Sequence, residues 1–136
     1  MHPFRFSVSL RTFSVDVFPN EICDILGLVP RWKNVIGESR KNPNDEPLDG
    51  VYERSYCSFD LTQHEGEELS ELLDRIADEL LPKKDIFRRI RTGGGRTEFF
   101  VGWYSASNSG QTFDSALLDK LGELSIDLAL DVYGRE

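Results

Sequence analysis

Residues 4–11 read Phe-Arg-Phe-Ser-Val-Ser-Leu-Arg. Phe4, Phe6, Val8 and Leu10 fall on one side, and Arg5, Ser7, Ser9 and Arg11 on the other. A period of two predicts a strand with one face buried and the other not. Residues 126–133, Ile-Asp-Leu-Ala-Leu-Asp-Val-Tyr, repeat the pattern near the other end, with Ile126, Leu128, Leu130 and Val132 set against Asp127, Ala129, Asp131 and Tyr133. Strands of an all-parallel sheet are covered on both faces and read as continuous apolar runs. Neither stretch does, so the expectation is an α+β two-layer sandwich: a mostly antiparallel sheet of four or five strands, with helices on one face.

Moving inward from both ends, Pro19 opens a short helix whose buried stripe is expected to be Ile22, Ile25 and Leu26, with Gly27 ending it. Residues 33–36 suggest a short strand, 38–50 an exposed Pro-rich loop, and 51–59 a second alternating strand. Leu69, Leu72, Leu73, Ile76 and Leu80 recur at helical spacing and predict a helix over 66–81, broken by Pro82. Further helical turns carry Ile86, Phe87 and Ile90 as far as Gly93-Gly94-Gly95. Residues 98–106 predict an aromatic strand, with Phe99, Val101 and Trp103 opposite Phe100, Gly102 and Tyr104. Thr112 or Asp114 caps a last helix that buries Phe113, Leu117 and Leu121. Pairing of 33–36 with 51–59 would make a ferredoxin-like βαββαβ unit with an appended αβ. All of it fits one domain over 1–136.

The chain has 136 residues, 24 acidic and 16 basic, for a net charge of −8. That excess of acid argues against general nucleic-acid binding, because the phosphate backbone is repelled over most of the surface. No apolar run approaches the roughly 20 residues of a membrane span, and residues 1–8 carry no signal-peptide pattern. Cys23 and Cys57 do not form a disulfide framework and are expected as reduced, partly buried thiols. A cytoplasmic protein is the simplest expectation.

Three segments together resemble a bacterial family known as domain of unknown function 4279. They are the strand Phe6-Ser-Val-Ser-Leu-Arg11, the run Ile25-Leu-Gly-Leu-Val-Pro30 followed by Trp32 and Gly37-Glu38, and a last helix leading into Leu128-Ala-Leu-Asp-Val-Tyr133. The resemblance implies a small stand-alone α/β domain and no particular activity.

No motif carries catalytic chemistry. His2 and His64 have no partner at ligand spacing, so neither a metal nor a cofactor is expected. The glycine run precedes a strand and lacks the lysine and Ser/Thr of a phosphate loop. The charge distribution says more. Residues 60–79 hold eight acids and one base, and Glu67, Glu71, Asp74 and Asp78 follow helical spacing. Lys83, Lys84, Arg88, Arg89, Arg91 and Arg96 then make a basic patch, which reads either as cations near a helix C-terminus or as a recognition surface.

Two functional readings stand beside each other. One is a non-enzymatic protein-interaction or regulatory module that meets a protein partner through the open sheet face. The other binds a small anionic molecule, or acts on one, near loop 38–50 and the open face, through Arg31, Trp32, Glu38, Trp103 and Tyr104. A homodimer through the final strand is a further possibility if that strand lies at an unprotected sheet edge.

Overall fold

The computed structural model describes residues 3–134; His2 lies outside them. Strand β1 (Arg5–Ser14) is followed by helix α1 (Pro19–Leu26), β2 (Trp32–Asn34), β3 (Ser39–Lys41), β4 (Pro47–Val51) and β5 (Ser55–Leu61). Then come α2 (Leu69–Leu80), a 3-10 turn at Leu81–Lys83, α3 (Lys84–Thr92), β6 (Arg96–Tyr104), α4 (Ser115–Glu123) and β7 (Ile126–Tyr133). Five strands form a mixed sheet in the order β2-β5-β1-β6-β7, and β3 and β4 pair separately as a hairpin. Neighbours in the sheet run antiparallel except β6 and β7, which are parallel.

The register keeps one set of side chains together across all the strands. Leu10 of β1 stands opposite Phe59 of β5 and Phe99 of β6, and Val8 opposite Val101. These residues are buried under the helices with Ile22, Leu73, Phe87, Leu117 and Leu121. At one end this face turns polar: Thr12, Ser14, Ser55 and Thr97 are all buried. Ser14 donates to the Val17 carbonyl at 2.6 Å, which holds the turn into α1. Cys57 is buried and Cys23 half-buried. Burial first, and the neighbouring Cys23 second, push the Cys57 thiol up to about 12.

The helix ends follow from local chemistry. Glu68 and Glu71 close a reciprocal capping box at the start of α2. Asp114 caps α4 by accepting from the Leu117 amide at 2.9 Å. In the glycine run, Gly94 takes φ +92, and a Cβ at Gly95 would collide with the Phe13 carbonyl. The run is therefore a structural turn that brings α3 close against β1.

The structure corrects four expectations. Loop 38–50 is not irregular: it contains the β3–β4 hairpin. The strand placed at 51–59 starts at Ser55 and ends at Leu61. The helix placed at 66–81 spans Leu69–Leu80, because Glu68 is its N-cap. Ile25 is exposed, since α1 is short enough to bury only Pro19, Ile22 and Leu26. Among the described residues no helix is long and apolar enough to cross a membrane.

Candidate functional site

A cleft of about 880 Å³ lies between β2 and the β3–β4 hairpin. Its framework is main-chain. Gly37 N–H donates to the Tyr52 carbonyl at 2.9 Å, and Tyr52 N–H to the Glu38 carbonyl at 3.0 Å. These two bonds tie the base of the hairpin to the start of β5. The Tyr52 hydroxyl accepts from Lys41 N–H at 3.1 Å and donates to the Lys41 carbonyl at 3.2 Å, which fixes its ring across the hairpin. The hairpin tip is held by Asn42, whose side-chain oxygen accepts from the amides of Asn44 and Glu46, both at 2.9 Å. Pro43 and a left-handed Asp45 (φ 63) complete the turn. Every residue of both hairpin strands is exposed, so no apolar alternation marks them. The turn residues Asn42-Pro43-Asn44-Asp45 were the one available signal.

Aromatic rings line one wall. Trp32 sits on the edge strand β2 and is 47% exposed. Tyr56 packs on Phe13 with ring centroids 5.0 Å apart. Tyr52 stands between the hairpin and β5. Arg40 joins them and donates to the Asp49 carbonyl at 3.2 Å, an uncharged acceptor. Lys33 follows Trp32 in β2, but alternation turns its side chain to the helix face, opposite Cys57, where it donates to the Asn20 side-chain oxygen of α1 at 3.0 Å. Lys41 lies 3.5 Å from Asp45. Glu38 completes the charged lining. Without Lys33 the cleft holds two cations, Arg40 and Lys41, and two acids, Glu38 and Asp45, and Arg40 spends no charge on a carboxylate.

Of the residues expected at a site, Trp32 and Glu38 line this cleft. Arg31 is beside it but turned to Asp60, at 3.0 Å in an exposed ion pair. Trp103 is elsewhere. It is 8% exposed on the helix face, stacked on Phe4 at 3.9 Å and 5°, and its indole N–H donates to Ser109 at 3.0 Å. Tyr104 is on the opposite, open face and stacks on Tyr133 at 5.0 Å. Strand alternation separates the two, and neither lines the cleft.

That open face is closed upon itself. Arg11 lies over the Phe100 ring at 3.6 Å and Arg96 over Phe13 at 3.9 Å.

The cations of 83–96 point at several different elements. Lys83 donates to the Leu26 carbonyl at 3.0 Å, and Lys84 pairs with Glu123 at 3.1 Å. Arg89 pairs with Glu21 at 2.9 Å and Arg91 with Asp127 at 3.0 Å. Arg96 lies 3.7 Å from Glu98. Arg88 and Arg89 border a groove of about 630 Å³, but Asp16 and Asp85 line it too and offset their charge. The acidic stripe divides in the same way. Asp74 and Asp78 share Lys120 of α4, at 2.7 and 2.9 Å, and these two bonds raise the Lys120 pKa. Glu67 takes a two-pronged bond from Arg75 at 2.8 and 3.0 Å. That hydrogen bonding holds the Glu67 carboxyl down at about 2.

Among the described residues, no group of three or more His, Cys, Asp or Glu side chains is arranged to hold a metal. No curated protein and no solved structure matches the chain. A family model matches residues 2–135, nearly the whole length, and the chain thus belongs to the family described as a domain of unknown function, DUF4279.

Proposed function

We propose that this protein is a non-enzymatic binding module, and that the hairpin cleft takes a small anionic ligand carrying a flat ring. One observation carries the reading. Trp32 presents a large ring, half in solvent, on a three-residue edge strand, in a cleft it shares with Arg40, whose guanidinium donates to an uncharged acceptor. A tryptophan so placed adds little to the core, and leaving it exposed is understandable if the ring meets something planar. Arg40 supplies the complementary charge. The same reading extends to the fold. The order β2-β5-β1-β6, antiparallel throughout, supports a ferredoxin-like βαββαβ unit to which the β3–β4 hairpin, α4 and β7 have been added. The added hairpin is what encloses the cleft.

Intrinsic fluorescence tests the proposal, because Trp103 is buried and Trp32 reports on the cleft. Titration with aromatic carboxylates and nucleoside phosphates is expected to give saturable quenching for at least one of them. Arg40→Gln should weaken it about tenfold, the effect of losing roughly 1.4 kcal/mol from one charged contact. If no member of either class quenches the fluorescence or raises the melting temperature, the reading is wrong.

A protein partner is the second reading. It is favoured by Phe18 and Val29, which flank α1 and are 56% and 89% exposed. Capture of one stoichiometric partner by the wild type, lost in Val29→Asp, would support it.

A further inference from the structure

The two edges of the sheet differ. The β2 edge is three residues long and leads straight into the hairpin segment. The β7 edge is eight residues long, and among the described residues no strand pairs with its outer side. Natural edges are usually blunted by short length, charged side chains, proline or a bulge. β7 is eight residues long and has no proline or lysine, and its two charges, Asp127 and Asp131, are engaged by Arg91 at 3.0 Å and by the Tyr133 hydroxyl at 2.5 Å.

Its backbone direction is set by one hydrogen bond. The Tyr133 carbonyl accepts from the Ser105 amide at 3.2 Å, so the main-chain groups of Tyr133 point toward β6. Main-chain groups alternate sides along a strand. Those of Leu128, Leu130 and Val132 therefore point to the free edge. The side chains of Leu130 and Val132 lie on the helix face yet are 46% and 64% exposed, because the helices do not reach over them.

We propose that β7 pairs antiparallel with β7 of a second copy about a two-fold axis at Leu130, joining two five-stranded sheets into one. The charges select this register. Centred on Leu130, Leu130 meets its own copy, Leu128 meets Val132, Ala129 meets Asp131 and Asp127 meets Tyr133. No acid faces an acid, and the exposed apolar side chains face one another. Centred on Ala129, Asp127 would face Asp131 twice; centred on Asp131, that residue would face itself. Like charges directly opposite are destabilising. Centred on Leu128, Val132 would have to meet Leu124, beyond the end of the strand at the left-handed Ser125 (φ 56). An isologous pairing of this kind is closed, so it yields a dimer and not a fibre. The occupant is a second copy because the strand is self-complementary in that register. The ladder would use the outward main-chain groups of Leu128, Leu130 and Val132 in each copy.

Sedimentation or light scattering on the full chain at tens of micromolar is the first test. The expected mass is twice the 15.5 kDa of one chain. Leu130→Lys, which sets two ammonium groups together at the axis, should return it to 15.5 kDa with unchanged far-UV circular dichroism. The register is tested in a Cys23→Ser background. Directly opposed residues whose main chains bond to each other have Cα atoms about 5.5 Å apart, within disulfide reach. Leu130→Cys should cross-link on mild oxidation, and Ala129→Cys should not. A wild-type chain that is monomeric, or a dimer that survives Leu130→Lys, would overturn the proposal. Cross-linking at 129 in place of 130 would overturn the register. If the variants fail to fold, the wild-type mass still decides between monomer and dimer, and limited amide exchange protection at 128–132 on concentration decides whether β7 is the contact.

Discussion

The two faces of the five-stranded sheet are made from alternate residues of the same strands, and they are protected in different ways. On one, Leu10, Phe59, Phe99 and Val101 are removed from water under the helices. On the other, no helix of the described residues packs. Arg11 covers Phe100, Arg96 covers Phe13, and Tyr104 lies on Tyr133. Burial of a whole side chain is worth several times a single cation–π contact at a partly exposed site. The first face should therefore carry the stability, and the second should mainly keep ring surface from being left open.

The strongest way to break that comparison is Phe99→Ala. It should cost about 3–5 kcal/mol in urea unfolding, as large-to-small changes of core aromatics do. A loss below about 1 kcal/mol would mean that the core is not where the register puts it.

The next concerns the helix layer. Glu67→Gln removes the charge that Arg75 grips, and should cost about 1–3 kcal/mol at neutral pH. The Glu67 carboxyl titrates at about 2 when folded, against an ordinary 4.5. A lowered pKa stabilises the fold above the ordinary value and loses that contribution as pH falls through the folded one. The gap in melting temperature between wild type and Glu67→Gln should therefore be full above pH 4.5 and close by about pH 2. A gap that persists unchanged below pH 2 would assign the effect to packing.

On the open face, Arg11→Met should cost less than about 1 kcal/mol. The cation–π contact is lost, but so is the burden of a buried Arg11 Nε that has no hydrogen-bond partner among the described residues. If this change costs as much as Phe99→Ala, the two faces are not different in kind. The smallest effect is expected at Trp32→Ala, within about 0.5 kcal/mol of wild type, because the ring is half in solvent. A large loss there would make Trp32 a structural residue and remove the reason for giving it to a ligand.

Much of this was readable beforehand, for a specific reason. Leu10 and Arg11, Phe99 and Phe100, Trp103 and Tyr104 fall on opposite faces because strand alternation needs no knowledge of the neighbours. The α2 leucines are readable for a similar reason, and so is a cap at Thr112 or Asp114, of which the structure uses Asp114. The candidate site was much less legible. Trp32 and Glu38 were found because a tryptophan in a polar stretch is conspicuous. Arg40 and Lys41 were not found, because hairpin strands exposed on both sides leave no periodic trace. Trp103 was grouped with Trp32 by residue type, although the sheet puts the two on opposite faces. Lys83 to Arg96 look like one patch in sequence, but the 3-10 turn and α3 direct them toward α1, α4, β7 and the open face.

The sequence by itself determined the α+β class, the inward face of β1, β6 and β7, the bounds of α1 between Pro19 and Gly27, and membership of the family. Each of these depends on residues a few positions apart. The tertiary structure alone decided that β7 runs parallel to β6 at the edge of the described sheet, that residues 39–51 fold into a hairpin over Trp32, and that Lys83, Lys84, Arg89, Arg91 and Arg96 each meet their own partner. These depend on which distant segments become neighbours, and that is settled by how the helices cover one face of the sheet.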